Sequence, residues 1–139
     1  MTAHNPITLP PQAFERLLAL LEQETHLLAQ VEAQMQAKKD CLIANNTAGL
    51  MQADQALMGL GQKTAQIEQQ RMDLMSRMGF ADQTLEQMVG TLQADYPEQG
   101  RQLQQTRQGM RRLLERIQTL NRNNQELLSL SIQWIDRGG

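Results

Sequence analysis

The sequence predicts an all-α fold, an elongated antiparallel bundle of three long helices with a short connector helix. Apolar residues recur every three or four positions over long stretches, which is the spacing of amphipathic helices. The composition is rich in Leu and Gln and contains only two Phe, one Trp and one Tyr. No stretch alternates apolar and polar residues as a strand would. The length of 139 residues fits a single domain over 1–139.

The first helix is predicted over residues 10–43. Pro10 and Pro11 fit only before a helix or in its first turn, because proline lacks the N–H and clashes further in. A seven-residue repeat follows, formed by Phe14, Leu21, Leu28, Met35 and Leu42. The Asn-Asn-Thr stretch at 45–47 then ends the pattern, because Asn and Thr favour caps and turns.

The second helix is predicted over 47–78 from an unbroken series of steps of three and four. Its seam consists of Leu50, Ala53, Leu57, Leu60, Thr64, Ile67, Arg71, Leu74 and Met78. Two helices of this kind joined by a short loop predict an antiparallel hairpin. Arg71 is expected to reach solvent or an acidic neighbour. Gly59 and Gly61 lower helix propensity, and two explanations for them stay open, a close backbone approach or a bend.

The sequence predicts a short third helix followed by a long last helix. Gly79 is expected to stop the second helix, and Asp82 to cap a third helix over 82–93. The third helix has apolar residues at Leu85, Met88, Val89 and Leu92. Pro97 begins the last helix, predicted over 97–136. Its seam contains Leu103, Met110, Leu113, Ile117, Leu120, Leu127 and Trp134.

Charge is divided unevenly along the chain, whose formal net charge is −2. Residues 1–100 carry 6 Lys and Arg against 12 Asp and Glu, whereas residues 101–139 carry 7 Arg against 3 acidic residues. Two interpretations follow: the basic last helix packs beside acidic helices, or it attracts an acidic partner. The nearly neutral total gives no general case for binding nucleic acid.

The sequence also predicts a cytoplasmic location. No run of 18 apolar residues occurs, so no membrane insertion is expected. The N-terminal residues lack the basic and apolar regions of a secretory signal. Cys41 is the single cysteine, which excludes an internal disulfide framework and fits a reducing compartment.

No group of residues suited to catalysis is visible. His26 lacks the Lys and Gly that follow the phosphorylated histidine in helical phosphotransfer domains, so we interpret it as a partly exposed helix residue. A di-iron bundle would need two Glu-x-x-His motifs, and Gln23 stands where the glutamate would precede His26. Paired cysteines and Gly-rich phosphate loops are also missing. The sequence therefore predicts no enzyme, no cofactor and no metal site.

Methionines cluster around the end of the second helix and its neighbours. They are Met72, Met75, Met78, Met88 and Met110. Because methionine is flexible and polarizable, such a cluster either fills a core or forms an adaptable surface.

The end of the last helix carries more apolar residues than one core-facing stripe needs. Leu127, Leu128, Leu130, Ile132, Trp134 and Ile135 spread over about 200° of the helix circumference. If this apolar surface is exposed, it indicates partner binding or self-association. The other alternative is that the hairpin turn of the first two helices covers it. Asn121 lies beside the seam. Asn124 occupies a seam position where Leu is expected, and either sets the helix register or offers its amide to a partner.

Three stretches stand out in the order and spacing of their residues: "FERLLALLEQETHLLAQVEAQ", "LGQKTAQIEQQRMDLM" and "LNRNNQELL". In these stretches, and over nearly its whole length, the chain resembles the FlgN-type flagellar export chaperones. In the second stretch Lys63, Ile67, Arg71 and Leu74 hold the expected relative places. In the third, Asn121, Asn124, Leu127 and Leu128 match an N-x-x-N-x-x-L-L pattern.

The resemblance implies a chaperone that binds the C-terminal segments of hook–filament junction proteins, the hook-associated proteins, and keeps them from assembling early. It also implies delivery to the flagellar type III export apparatus. The partner-binding residues would be Asn121, Asn124, Leu127, Leu128, Leu130, Ile132, Trp134 and Ile135. Family members often carry a further C-terminal tail, which this sequence does not show. The alternative is a structural coiled-coil adaptor that self-associates, including as a homodimer.

Overall fold

The computed structural model describes residues 8–136, with side chains described as far as residue 129. Four helices follow one another: α1 (Pro11–Ile43), α2 (Thr47–Arg77), α3 (Leu85–Asp95) and α4 (Pro97–Asp136). No strand occurs among these residues, which confirms the predicted all-helical class. Over the same residues, no helix is both long and apolar enough to cross a membrane.

The predicted turn between the first two helices is held by asparagine side chains. Asn45 takes a left-handed conformation with φ 53°, which asparagine tolerates better than most residues. Asn46 caps α2, because its Oδ1 accepts a hydrogen bond of 3.0 Å from the Gly49 N–H. A Cβ atom at Gly49 would lie 2.7 Å from Cys41 Sγ. A side chain at position 49 would therefore require the Asn46 or the Cys41 side chain to shift.

Glycine ends α2 as the sequence predicts. Gly79 has φ 93°, and the Phe80 N–H donates to the Met75 carbonyl at 2.8 Å while the Gly79 N–H donates to that of Ser76. This pair of bonds is the Schellman arrangement, which satisfies carbonyl groups that the last helical turn leaves open.

The start of α3 differs from the prediction. The cap is Thr84 and not Asp82, and α3 begins at Leu85. Thr84 and Gln87 form a reciprocal capping box, in which each side chain accepts a hydrogen bond from the other residue's N–H. Asp82 instead has φ 59° within the loop. Two N–H groups are satisfied by the capping box, whereas a single Asp cap satisfies one, and this explains the later start.

The chain divides into two compact units, and the first comprises residues 8–25 and 66–110. Its core is apolar and tightly closed. The fully buried side chains are Leu17, Leu20, Leu21, Met75, Met88, Leu92 and Leu103. At the edge of this unit the Leu9 N–H donates to the Tyr96 hydroxyl at 3.1 Å. Burial of Met75, Met88 and Met110 shows that these three methionines fill the core, whereas Met72 is exposed.

A buried ion pair also belongs to the first unit. Arg71 Nε donates to Glu24 Oε1 at 2.7 Å, and Glu24 is only 4% exposed. Arg71 thus reaches an acidic neighbour, one of the two predicted outcomes. The removal of water raises the pKa of the Glu24 carboxyl above its ordinary value, and the hydrogen bond and charge of Arg71 oppose that rise.

The second unit comprises residues 26–65 and 111–136. Its described core is much smaller, with Leu28, Ala53 and Leu113 as the buried apolar residues. Polar contacts join its helices as well. Lys38 on α1 pairs with Asp54 on α2 at 2.9 Å, and Asn124 on α4 bonds to α1. The described part of this unit is therefore held by few buried apolar side chains and several polar contacts.

Candidate partner-binding surface

The predicted partner-binding residues of α4 differ in their exposure. Leu128 is 43% exposed and Asn124 is 3% exposed. Asn121 is exposed and Leu127 is half-buried. The predicted side chains further along, Leu130, Ile132, Trp134 and Ile135, lie outside the described residues. Among the described positions, the partly open apolar surface is thus formed by Leu127 and Leu128.

Asn124 lies inside the contact between α4 and α1. Its Nδ2 donates to the Met35 carbonyl at 3.1 Å, and its buried Oδ1 has no hydrogen-bond partner among the described residues. The amide is therefore directed to α1 and not to the surface, which favours the register interpretation over the partner interpretation. Of the two alternatives for Asn124, the placement supports the one in which it sets the helix register.

Leu127 and Leu128 lie on different flanks of α4. An α-helix turns by about 100° per residue, so Leu127 lies within about 20° of Arg116, eleven residues earlier. Leu128 lies instead within about 40° of Leu114, which is also 43% exposed. The buried Asn124 lies between the two flanks. The α1–α4 contact therefore divides the predicted surface into a flank with Leu127 and a flank with Leu128. The spread of apolar residues in the sequence did not reveal this division.

A groove runs between α1 and α4 in the second unit, on the flank of Leu127. Its volume is about 650 Å³. The α1 wall includes Ala29, Glu32 and Ala33, and the α4 wall includes Arg112, Arg116 and Leu120. The two alanines are exposed and small, and they are four residues apart, so they leave open space along one face of α1. Sequence analysis did not predict this α1–α4 groove.

Charged side chains line the rim of the α1–α4 groove. Arg116 Nε donates to Glu32 Oε2 at 2.5 Å, which links α4 to α1. This hydrogen bond and the Glu32 charge raise the pKa of the Arg116 guanidinium. Arg111 pairs with Glu115 within α4 at 3.4 Å. The Arg116 pair supports the interpretation that the basic helix packs beside acidic residues, although it accounts for only part of the basic charge of α4.

The other candidates from the sequence form no site in the part of the chain that is described. His26 is exposed, and its Nε2 lies 3.3 Å from Gln30 Nε2, one helical turn later. Cys41 is a half-buried free thiol. Between residues 8 and 136, no group of three His, Cys, Asp or Glu side chains is arranged to hold a metal ion. The absence of an enzymatic function stays a prediction.

The fold and this surface define a class of protein, a small all-helical chain with a partly open apolar face on its last long helix. The family model described as "FlgN protein" matches residues 9–138. The chain therefore belongs to the FlgN family, as the resemblance in its sequence implied. Membership implies a flagellar export chaperone, in a family not known for enzymatic activity. Neither a curated protein nor a solved structure matched the chain.

Proposed function

We propose that this protein is a cytoplasmic chaperone for hook–filament junction proteins, the hook-associated proteins of the flagellum. It binds their C-terminal segments, prevents premature assembly and delivers them to the flagellar type III export apparatus. The chain acts as a single domain over 1–139 and catalyses no reaction. Family membership supports the chaperone role.

The observation that carries the proposal is the partial exposure of Leu127 and Leu128 on α4. A soluble segment that becomes helical on binding can bury an exposed apolar side chain of α4 in a groove-type interface, on the flank of Leu127 or on that of Leu128. Leu128 is 43% exposed in the free protein. The proposed contact residues are Asn121, Leu127, Leu128, Leu130, Ile132, Trp134 and Ile135. Asn124 contributes indirectly, because its hydrogen bond to Met35 holds α4 against α1.

The proposal includes an antiparallel arrangement of consecutive long helices. Within the second unit, the Lys38–Asp54 pair joins α1 and α2 close to their short connecting turn, as in a helical hairpin. In the same unit, Glu32 contacts Arg116 and Met35 contacts Asn124. The later residue of α1 thus contacts the later residue of α4, which supports a parallel orientation of α1 and α4. The helix between them in the chain, α2, would then run antiparallel to both.

The experiment is a light-scattering mass across concentration, alone and with the C-terminal segment of a junction protein from the same genome. We expect a small species that gains one segment per chain, with added helical signal in circular dichroism. Concentration-dependent self-assembly that ignores the segment would support the structural adaptor instead.

Variants locate the interface. Replacing Leu127 and Leu128 by Ala should weaken segment binding by about 2–4 kcal/mol in total, because buried apolar anchors dominate such interfaces. Met58→Ala is the matched control, since Met58 is 69% exposed on α2. Calorimetric titration gives the affinities. Unchanged binding with an intact fold would remove these two residues from the interface.

A further inference from the structure

A separate pocket lies in the first unit, between the last part of α2 and the loop that leads to α3. Its volume is about 400 Å³, which is within the range of ligand-binding clefts. The lining consists of Gln69, Met72, Asp73, Met75 and Ser76 from α2 and of residues 80–84 from the loop. This α2–α3 pocket shares no residue with the α1–α4 groove or with the proposed contact residues of α4.

The loop wall of the α2–α3 pocket is fixed at both ends. At one end the Phe80 N–H donates to the Met75 carbonyl at 2.8 Å, and both of these side chains are buried. At the other end Thr84 forms the capping box with Gln87. The pocket is therefore formed before a partner arrives, which lowers the entropy that binding costs.

The charge of the α2–α3 pocket has one sign. Asp73 and Asp82 line it, and no Lys or Arg is among its described lining residues. The Asp73 carboxylate accepts a hydrogen bond from Gln69 at 2.9 Å, and neither carboxylate forms an ion pair within the described part of the chain. The first unit, over 8–25 and 66–110, also carries 5 Lys and Arg against 9 Asp and Glu. Both the pocket and its surroundings therefore attract a cation.

Two further side chains of the lining define the kind of cation. The Oε1 atom of Gln83 is buried and accepts no hydrogen bond from the described residues. A rotation of this amide toward a donor in the pocket therefore costs no hydrogen bond at that oxygen. Met72 is 51% exposed and adds an apolar surface beside the Asp73 carboxylate. Acceptors beside an apolar surface fit a guanidinium group on its aliphatic stem.

We propose that the α2–α3 pocket binds an arginine side chain from a segment of a partner protein, with an apolar residue next to that arginine. The guanidinium donates to the Asp73 and Asp82 carboxylates, and the apolar neighbour packs on Met72. The acidic surroundings and the exposed Met72 favour a protein segment over a small free cation. The inference goes beyond the chaperone function and does not rest on it, because it adds a second partner on the other unit.

The first test compares two short acetylated and amidated peptides of Gly and Ser, one with a central Arg-Leu pair and the other with Gln-Leu. Amide chemical shifts of the full chain follow each titration. We expect the Arg peptide to bind at least about tenfold more tightly, with the largest shifts within residues 69–84. Equal affinities, or shifts confined to other residues, would overturn the proposal. Argininamide is the third probe, and an affinity equal to that of the Arg peptide would replace the protein segment by a small cation.

The second test removes the two charges of the pocket with the double variant Asp73→Asn, Asp82→Asn. Asparagine keeps the oxygen that accepts from Gln69, and it tolerates the φ of 59° at position 82. The fold should therefore persist, which circular dichroism checks. We expect the Arg peptide to lose at least about tenfold in affinity.

The matched control removes the same number of charges outside the pocket with the double variant Glu22→Gln, Asp40→Asn. Both residues are exposed on α1. Asp40 also accepts a hydrogen bond from a glutamine one turn earlier, Gln36, at 3.2 Å. We expect this control to bind the Arg peptide nearly as wild type does. An equal loss in the two double variants would show a general charge attraction and would overturn the pocket.

Discussion

The Glu24–Arg71 ion pair places two charges where the seam between α1 and α2 would otherwise be apolar. Glu24 is buried, and Arg71 keeps only 15% of its side-chain surface exposed. The guanidinium also directs Nη1 toward Met75 Sδ at 3.7 Å. A buried pair of this kind gives limited net stability, but the loss of one partner leaves the other charge without compensation.

Arg71→Leu should therefore destabilise the protein by about 3 kcal/mol or more. Urea unfolding followed by circular dichroism measures the change. Arg77→Leu is the matched control, since Arg77 is exposed in the last turn of α2. Adding Glu24→Leu to Arg71→Leu should restore much of the loss. If Arg71→Leu costs no more than the control, Glu24 regains water in the variant.

Replacing the buried Asn124 should have the opposite effect to replacing Arg71, because it should increase the stability of the protein. Leu at this position would delete a buried, unpaired Oδ1 and complete the apolar seam of α4. We expect Asn124→Leu to stabilise by about 1 kcal/mol in the same urea experiment. Asn121→Leu, on the exposed surface, should change stability little. A clear loss with Asn124→Leu would show that the bond to Met35 outweighs the unpaired oxygen.

Among the elements, α2 contains glycines with two different structural roles. A Cβ atom at Gly59 or Gly61 would meet no atom within 4 Å outside the helix backbone, whereas one at Gly49 would collide with Asn46 and Cys41. A close approach therefore does not explain Gly59 and Gly61, whereas at Gly49 the side chains of Asn46 and Cys41 occupy the space that a Cβ atom would take.

Gly59→Ala and Gly61→Ala should each raise the free energy of unfolding by up to about 1 kcal/mol, because alanine favours the helix. Each variant should therefore melt at a higher temperature. Gly49→Ala should lower the melting temperature, because the added methyl group must displace Cys41 Sγ or the Asn46 side chain. Differential scanning calorimetry compares the three. A stabilising Gly49→Ala would mean that the turn rearranges freely.

Helix ends were predictable where local chemistry decides them. Gly79, Pro97 and the asparagine turn act over a few residues, and their signals are visible in the sequence. The start of α3 is also set by local chemistry, because the Thr84-x-x-Gln87 capping box, and not Asp82, begins the helix. Partners such as Met35 and Asn124 are 89 positions apart, and no local pattern specifies that pairing. For the same reason the α1–α4 groove, formed by two distant segments, was visible only in the structure.

At the scale of the molecule, the two units differ in how many of their described apolar side chains are buried. The side chains with the least exposure belong to the first unit, while the described core of the second includes three buried apolar residues and Asn124. Local opening costs less where few apolar contacts are lost. A chaperone that must accommodate a client benefits from such an adaptable part.

Hydrogen exchange should reveal this contrast within single helices. We expect the amides of residues 15–25 in α1 to exchange more slowly than those of 26–39, and those of 66–74 in α2 more slowly than those of 51–65. Each helix then serves as its own control for helix propensity and exposure. Uniform protection along α1 and α2 would show that the smaller core opens no more readily than the larger one.

Cys41 gives the hairpin turn a chemical reporter of its own. It is the chain's single cysteine, it is half-buried, and the turn is closed so tightly that even a methyl group on Gly49 would press on its sulfur. Alkylating reagents attack only a thiolate that they can reach. The rate at which this one sulfur is alkylated, followed by mass spectrometry, therefore reports how accessible the thiol is in the α1–α2 turn, with no label or substitution in the protein.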